Sequence, residues 1–444
     1  MTPLIDVARA AGSPLSDPRG LSTSSPSRDA VEQLERALES MLSYFGDPIA
    51  LLEQVTAQAP SWAYPRVLLA SLFMSFAERG MAGQAADALA GAQGLLAGAT
   101  VRERAHAAAA QVAVEGDWEA ACRLWEGILI EHPRDVAALL FAHLFDFYRG
   151  DALNLRRRPQ RVLPAWRPDM PLYSYVLGMQ AFGLEESGQY PEAEDLGRQA
   201  LAINQRDPWS VHAVTHVMEM QGRHAEGERW LAGRQADWAV DNGFSYHNWF
   251  HAALFEMENL DTAAALAIFD AHLATSTDMA LQRVDGTAVL WRLKLLGIDV
   301  TERFQKLHAA WQAVPDADGF YAFNDVHAAL AALGAGAPMP AVRDAAQATP
   351  TERHMANRVG HPLLRALAHY GAGQHADAAR ELMRVRDHAH EFGGSHAQRD
   401  LLTWLVLDAA TQAGEHALAR HVLNERYPAK QDTPLTAHWL QRLP

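Results

Sequence analysis

Two short segments concentrate imidazoles at helical spacing. SVHAVTH sets His212 and His216 four residues apart, with Glu219 three beyond, and SYHNWFH repeats the pair with His247 and His251. On a helix, residues at these intervals project from one face, so each segment would present a stripe of ring nitrogens, the first with a carboxylate beside it. Imidazole titrates near neutrality and a neighbouring carboxylate tunes it. His212, His216 and His251 with Glu219 or Asp325 could therefore supply a general acid and base. The same side chains are candidate ligands for a divalent metal: two histidines four apart on a helix give two bonds, and a carboxylate or a further histidine completes the set. The metal candidates are His212, His216, His247 and His251. HAVTH lacks the internal glutamate of the HExxH pattern, which argues against a metalloprotease of that type. A structural reading competes with both, because a buried histidine can serve only to satisfy a carbonyl or cap a helix.

Around this centre Trp209, Tyr246 and Trp249 are candidate substrate contacts. His143 of FAHLFDFY, His327 of FNDVH and Arg399 of AQRD join them, although an Arg–Asp pair such as Arg399 and Asp400 is often structural. Other chemistries find no support: there is no Gly-rich phosphate loop, and Ser174 and Ser210 lack a nucleophile-elbow context. Cys122, the only cysteine, rules out an internal disulfide or a thiolate metal cage and suits a reducing compartment.

The elements that must position these residues are helices. AVEQLERALESML, WEAACRLWEGILIEH and AARELMRVRDHAH carry apolar residues at three- and four-residue spacing, and alternating β-type runs are scarce. A recurring unit fixes the class. Gly116, Trp118, Ala121, Trp125, Ile128 and Pro133 fit a turn glycine, an aromatic, a close-packing alanine, a second aromatic, an apolar residue and a helix stop. Gly188, Tyr190, Ala193 and Ala200 repeat most of that series, as do Gly373, His375, Ala378 and Leu382, and Gly414, His416, Ala419 and Leu423. Gly222 follows Gly188 by 222 − 188 = 34 residues, the length of one tetratricopeptide helix pair. The fold class expected is all-α, a tetratricopeptide-like solenoid of stacked antiparallel helix pairs spanning 29–444. Residues 1–28, rich in Ser, Pro and Gly, read as a flexible leader or an arm laid over the body, and the phase is lost near 301–349, where GAGAPMP looks like a connection. With Gly222 as turn glycine, Trp209, His212, His216 and Glu219 fall on the inner face of their unit. The HNWFH helix should be the next inner helix, so the two histidine pairs could face each other.

A formal net charge of −15 repels phosphate backbones, so nucleic acid is a poor partner, and Arg156, Arg157, Arg158 and Arg161 read as a solvated loop. The start of the chain has no signal-peptide pattern and no window approaches a membrane span, which points to a cytoplasmic protein unattached to membrane. Beyond the repeat, PAWRPDMPLYSYVLGMQAFGLEESGQY, DPWSVHAVTHVMEM, HNWFH, FNDVHAAL and GGSHAQRDLL resemble the tetratricopeptide repeat protein 38 family over about 21–434. The resemblance implies a helical repeat fold and brings little settled biochemistry. His396 departs from it, standing where asparagine would be expected. Two functional expectations follow. In the first, the interior binds a small polar molecule and transforms it by acid–base or metal-assisted hydrolysis or elimination. In the second, the solenoid is a scaffold for a peptide or protein partner and the histidines are structural. Terminal repeats that must be capped or paired suggest a homodimer.

Overall fold

The computed structural model describes residues 15–315, 317–430 and 432–443. Helix accounts for 74% of the protein, in an all-α solenoid of successive packed helix pairs. Among the described residues the only sheet is a two-residue antiparallel pair, Leu15–Ser16 with Ser22–Thr23. This stretch is an arm laid over the body: Leu21 is buried, the Arg19 guanidinium forks onto Glu35, and Thr23 Oγ1 donates to Glu103. The first fourteen positions of the expected leader lie outside the described residues.

The turn glycines explain how consecutive helices reverse. Gly116, Gly188, Gly222, Gly373 and Gly414 all have φ between 69° and 80°, a left-handed conformation that costs glycine nothing and other residues a good deal. Each sits two residues before the next helix, the position the sequence series assigned it.

Two kinds of helix alternate, and their sequences differ accordingly. Outer helices such as His375–Val385 bury one stripe, here Ala378, Ala379, Leu382 and Val385, and leave the rest to solvent. Inner helices are buried almost all round, and a helix apolar on every side can only be a core element. Val136–Tyr148 (VAALLFAHLFDFY), Tyr173–Glu185, Pro208–Met220, Ser245–Glu258 and Ala280–Leu295 are of this second kind.

The solenoid curls until distant parts touch, so its inner face is a closed interior rather than an open concave groove. Arg283 pairs with Glu78 across 205 residues (3.1 Å), Trp118 N donates to Thr351 Oγ1, and Arg292 Nη2 donates to the Ala397 carbonyl. Near the C-terminus Arg426 and Lys430 both grip the buried carboxylate of Glu258 on the helix that carries His247 and His251.

Two expectations need correction. The irregular stretch near 301–349 contains the helices Thr301–Gln312 and Ala322–Gly334, and the connection proper is confined to 335–349. Its small and Pro-rich GAGAPMP tail masked the apolar spacing of AFNDVHAAL before it. The basic run is no solvated loop: Ala152–Val162 is a helix, and Arg158 is buried against the buried Asp146 at 2.7 Å. Among the described residues no helix is long and apolar enough to cross a membrane.

Two measurements check this packing. A Cβ at Gly183 would stand 2.3 Å from the Leu155 carbonyl oxygen, so Gly183→Ala should cost about 1–3 kcal/mol, read as a lower urea midpoint; an unchanged midpoint would contradict the close approach of these helices. Burial opposes ionisation of Glu258, but Arg426 and Lys430 outweigh it and hold its carboxyl at about 2. Its stabilising contribution is therefore complete above the unfolded value of about 4.3 and drains away as pH falls toward 2. Glu258→Gln should flatten the acid limb of a stability-versus-pH profile in that window.

Candidate functional site

The Pro208–Met220 helix begins where its sequence says it should. Asp207 caps it by accepting from the backbone N–H groups of Trp209 and Ser210, and Pro208 occupies the first turn, where a missing N–H costs nothing. The Ser245–Glu258 helix is aimed instead by the preceding turn. Asn242 accepts from Phe244 N and donates to the Ser43 carbonyl, and its backbone bridges to Phe45. These anchors set the two helices side by side with their histidine stripes facing.

His212, His216, His247 and His251 meet in one buried cluster. Each offers a ring nitrogen within 4.8 Å of those of the others. Ring centroids lie 4.3 Å apart for His212 and His216, 4.4 Å for His216 and His251, and 4.8 Å for both His212–His247 and His247–His251. Carboxylates stand behind the cluster. His247 Nδ1 donates to Asp285 Oδ2 at 2.6 Å, and His251 Nδ1 donates to Glu219 Oε2 at 2.7 Å. His216 Nδ1 lies 3.3 Å from Glu185 Oε2 without the alignment of a hydrogen bond. Toward the centre, His212 Nε2, His216 Nε2 and His251 Nε2 are buried with no hydrogen-bond partner among the described residues.

Burial keeps three of these rings neutral. Burial, reinforced by the neighbouring imidazoles, holds His212 and His251 well below the ordinary imidazole value, and burial brings His216 to about 4 despite Glu219 and Glu186. Burial also pushes Glu219 up, and together with the charge of Glu186 it raises Glu185 well above the carboxylate range. Glu186 resists the same burial because His396 and Arg399 hold it down. Four imidazoles and nearby carboxylates form a donor set that could hold a metal ion, and Glu185, Glu186 and His216 form a second such group beside it.

The cluster closes one end of a cavity of about 240 Å³. His212, His247, Asp285 and Gln398 form its polar end, and Gln398 Nε2 donates to Asp285 Oδ1. Tyr44, Phe182, Trp209, Phe244, Tyr246 and several leucines make the rest. Tyr44 and Phe244, both half-buried, stack at 5.1 Å in the wall. Trp209 is fixed by Nε1 donating to the Leu42 carbonyl.

The other candidates divide. Trp209 and Tyr246 line the cavity, as does His143, whose two ring nitrogens are buried and unpartnered among the described residues. Trp249 does not: two residues from both His247 and His251, it points about 200° round the helix and packs on His272 at 3.7 Å and on Trp238. Asp325 lies elsewhere, accepting from Gly319 N and lining a separate cavity with Asp318 and Glu352, so it cannot act on these histidines. His327 donates Nδ1 to its own helix at the Phe323 carbonyl and does not reach the cavity. Arg399 binds the Gly394 carbonyl and Glu186, bracing the cluster from behind. Sequence reasoning missed Asp285, Glu185 and Gln398. A lone acidic residue inside an apolar run, as in VDGTAVLW, is the signal that could have found Asp285, and the acidic pair that closes the apolar AFGLEE is the one that could have found Glu185.

Compared with protein-family models, the chain matches none.

The neutral cluster has a measurable signature. Unfolding hands His212, His216 and His251 protons that the fold refuses, so they remove stability as pH falls below about 6.5 and contribute no pH dependence above it. Ring ¹⁵N shifts of these three should stay constant between about pH 8 and about pH 5. Titration near 6.5 would show that they are exposed to solvent.

Proposed function

We propose that the protein is a metal-dependent enzyme acting on a small molecule, with His212, His216, His247 and His251 holding one divalent first-row cation at the end of the cavity. One observation carries this reading: four imidazoles converge on a common point while carboxylates occupy the far nitrogens of His247 and His251. Histidines that ligate metals characteristically donate their other N–H to a carboxylate or carbonyl, which fixes the tautomer and raises the basicity of the ligating nitrogen. Histidines that only fill a core would each find a partner of their own, and three of these have a nitrogen that does not.

The chemistry follows from what the residues can do. A cation here would act as a Lewis acid and lower the pKa of bound water, suiting hydrolysis or elimination. Asp285 and Glu219 orient His247 and His251. Glu185, kept protonated by burial and by Glu186, is a proton store 3.3 Å from the His216 ring. Imidazole ligands suit zinc, copper, nickel or iron. The closed interior supports a small-molecule substrate over a peptide, since an extended chain would need an open groove. The likeness to the tetratricopeptide repeat protein 38 family adds no chemistry to this reading, and a cytoplasmic location suits a neutral-histidine site without being required by it.

Elemental analysis of the purified protein should find about one equivalent of such a metal, falling to background in His212→Ala and in His251→Ala. Chelation should lower the melting temperature and metal should restore it, because a ligand that binds only the folded state stabilises it. Glu219→Gln should weaken metal binding about 10–100-fold. Metal-free protein whose melting temperature ignores both chelator and added metal would sink the proposal.

A further inference from the structure

The cavity beside the histidines carries information about what enters it. We infer that the substrate is an uncharged, largely aromatic molecule, seated by His143 through one hydrogen-bonding substituent and presenting its reacting group to the histidine cluster. This rests on the proposed function for the reacting end, while the seat itself stands on the cavity alone.

Size sets the first limit. A dry apolar cavity of about 150 Å³ holds benzene, so one of about 240 Å³ has room for a fused bicycle or a substituted ring. Shape and polarity set the second. Phe76, Phe147, Phe182, Trp209 and Phe244 bring ring faces and edges to the wall, the surroundings that another aromatic ring packs against best. Charge sets the third. Among the described residues no Lys or Arg lines the cavity, and its one carboxylate, Asp285, already accepts from His247 and Gln398. An ionised substrate would lose its hydration and gain no counter-ion.

His143 is what makes the cavity selective. It is 1% exposed on the fully buried Val136–Tyr148 helix, its ring set edge-on to Trp209 at 5.6 Å and to Phe182 at 6.1 Å. Neither ring nitrogen has a hydrogen-bond partner among the described residues. Burial and the nearby Arg158 hold it neutral, with its pKa at about 3, so it offers one donor and one acceptor. A buried polar group without a partner costs stability, and a substrate hydroxyl or carbonyl that engages it recovers that cost on binding. A molecule lacking such a group leaves the imidazole unsatisfied, which is how a hydrogen-bonding pocket rejects an otherwise similar ligand.

The test uses the full-length protein, as purified and after chelation, with 2-naphthol, naphthalene and glucose as probes and Trp fluorescence and calorimetry as readouts. 2-Naphthol should bind one to one, naphthalene more weakly, and glucose not at all. His143→Phe, with far-UV circular dichroism and metal content unchanged, should weaken 2-naphthol about tenfold and leave naphthalene within about threefold. Leu144→Trp, which narrows the cavity from its half-buried wall, should abolish binding of both aromatics and serves as a second variant should His143→Phe misfold. Glucose binding as tightly as 2-naphthol, or equal losses for both aromatics in His143→Phe, overturns the inference. Metal-replete protein that binds neither aromatic overturns the substrate class and spares the metal centre. Aromatic binding by protein that never holds metal supports the substrate class and sinks the metal centre alone.

Discussion

Carboxylates taken out of water are what the interior has to accommodate. Glu219, Asp285 and Glu185 are at most 3% exposed, and an isolated buried carboxylate is among the costliest things a fold can contain. Asp285 and Glu219 are answered by imidazole N–H donors at 2.6 and 2.7 Å, while Glu185 is answered by taking up a proton. The histidines are thereby fixed in ring orientation and tautomer, and the two helices that carry them are fixed against each other. Removing His251 would leave Glu219 with neither water nor a hydrogen bond, the more damaging outcome, whereas Asp285 without His247 would keep only Gln398. The apolar inner helices then have a reason to close on all sides: a looser interior would admit water and dissolve the arrangement.

Much of this was legible in the chain. The all-α class and the turn glycines come straight from residue type and spacing, because a left-handed turn and close-packed helix pairs leave periodic marks. The four histidines were legible for the same reason, since i, i+4 is a statement about one helix face. Asp285 was not, because its partnership with His247 spans 38 residues and two helices, and spacing says nothing about pairs that only tertiary packing brings together. Trp249 was misjudged through register: two residues along a helix is nearly the opposite side. Asp325 was misjudged because its own helix lay inside a stretch read as irregular, so no face could be assigned to it. Closure was only partly legible. The crowd of aromatics suggested an occluded face, but contacts such as Arg283 to Glu78 join positions that no local pattern relates.

The repeat architecture and the site pull in different directions. A solenoid grows by contacts between neighbours and tolerates variation along its outer helices. This one adds contacts between elements 170 or more residues apart, as in Lys430 to Glu258, and those contacts bear on the helix that supplies half of the cluster. Degeneracy of the repeat is the natural result, since inner positions answer to the interior before they answer to the repeat.

The stacked pair of Tyr44 and Phe244 sets a clock. Both are half-buried in the wall, Gly46 and Gly243 flank them, and Gly243 N donates to the Tyr44 carbonyl at 2.8 Å, so the two segments are latched together by backbone as well as by rings. A route through this part of the wall opens only when that latch parts, on the microsecond-to-second timescale of loop and local opening. Entry by that route would be slower than diffusion. Turnover that depended on this route would be governed by how often the door opens, whatever the speed of the step performed behind it.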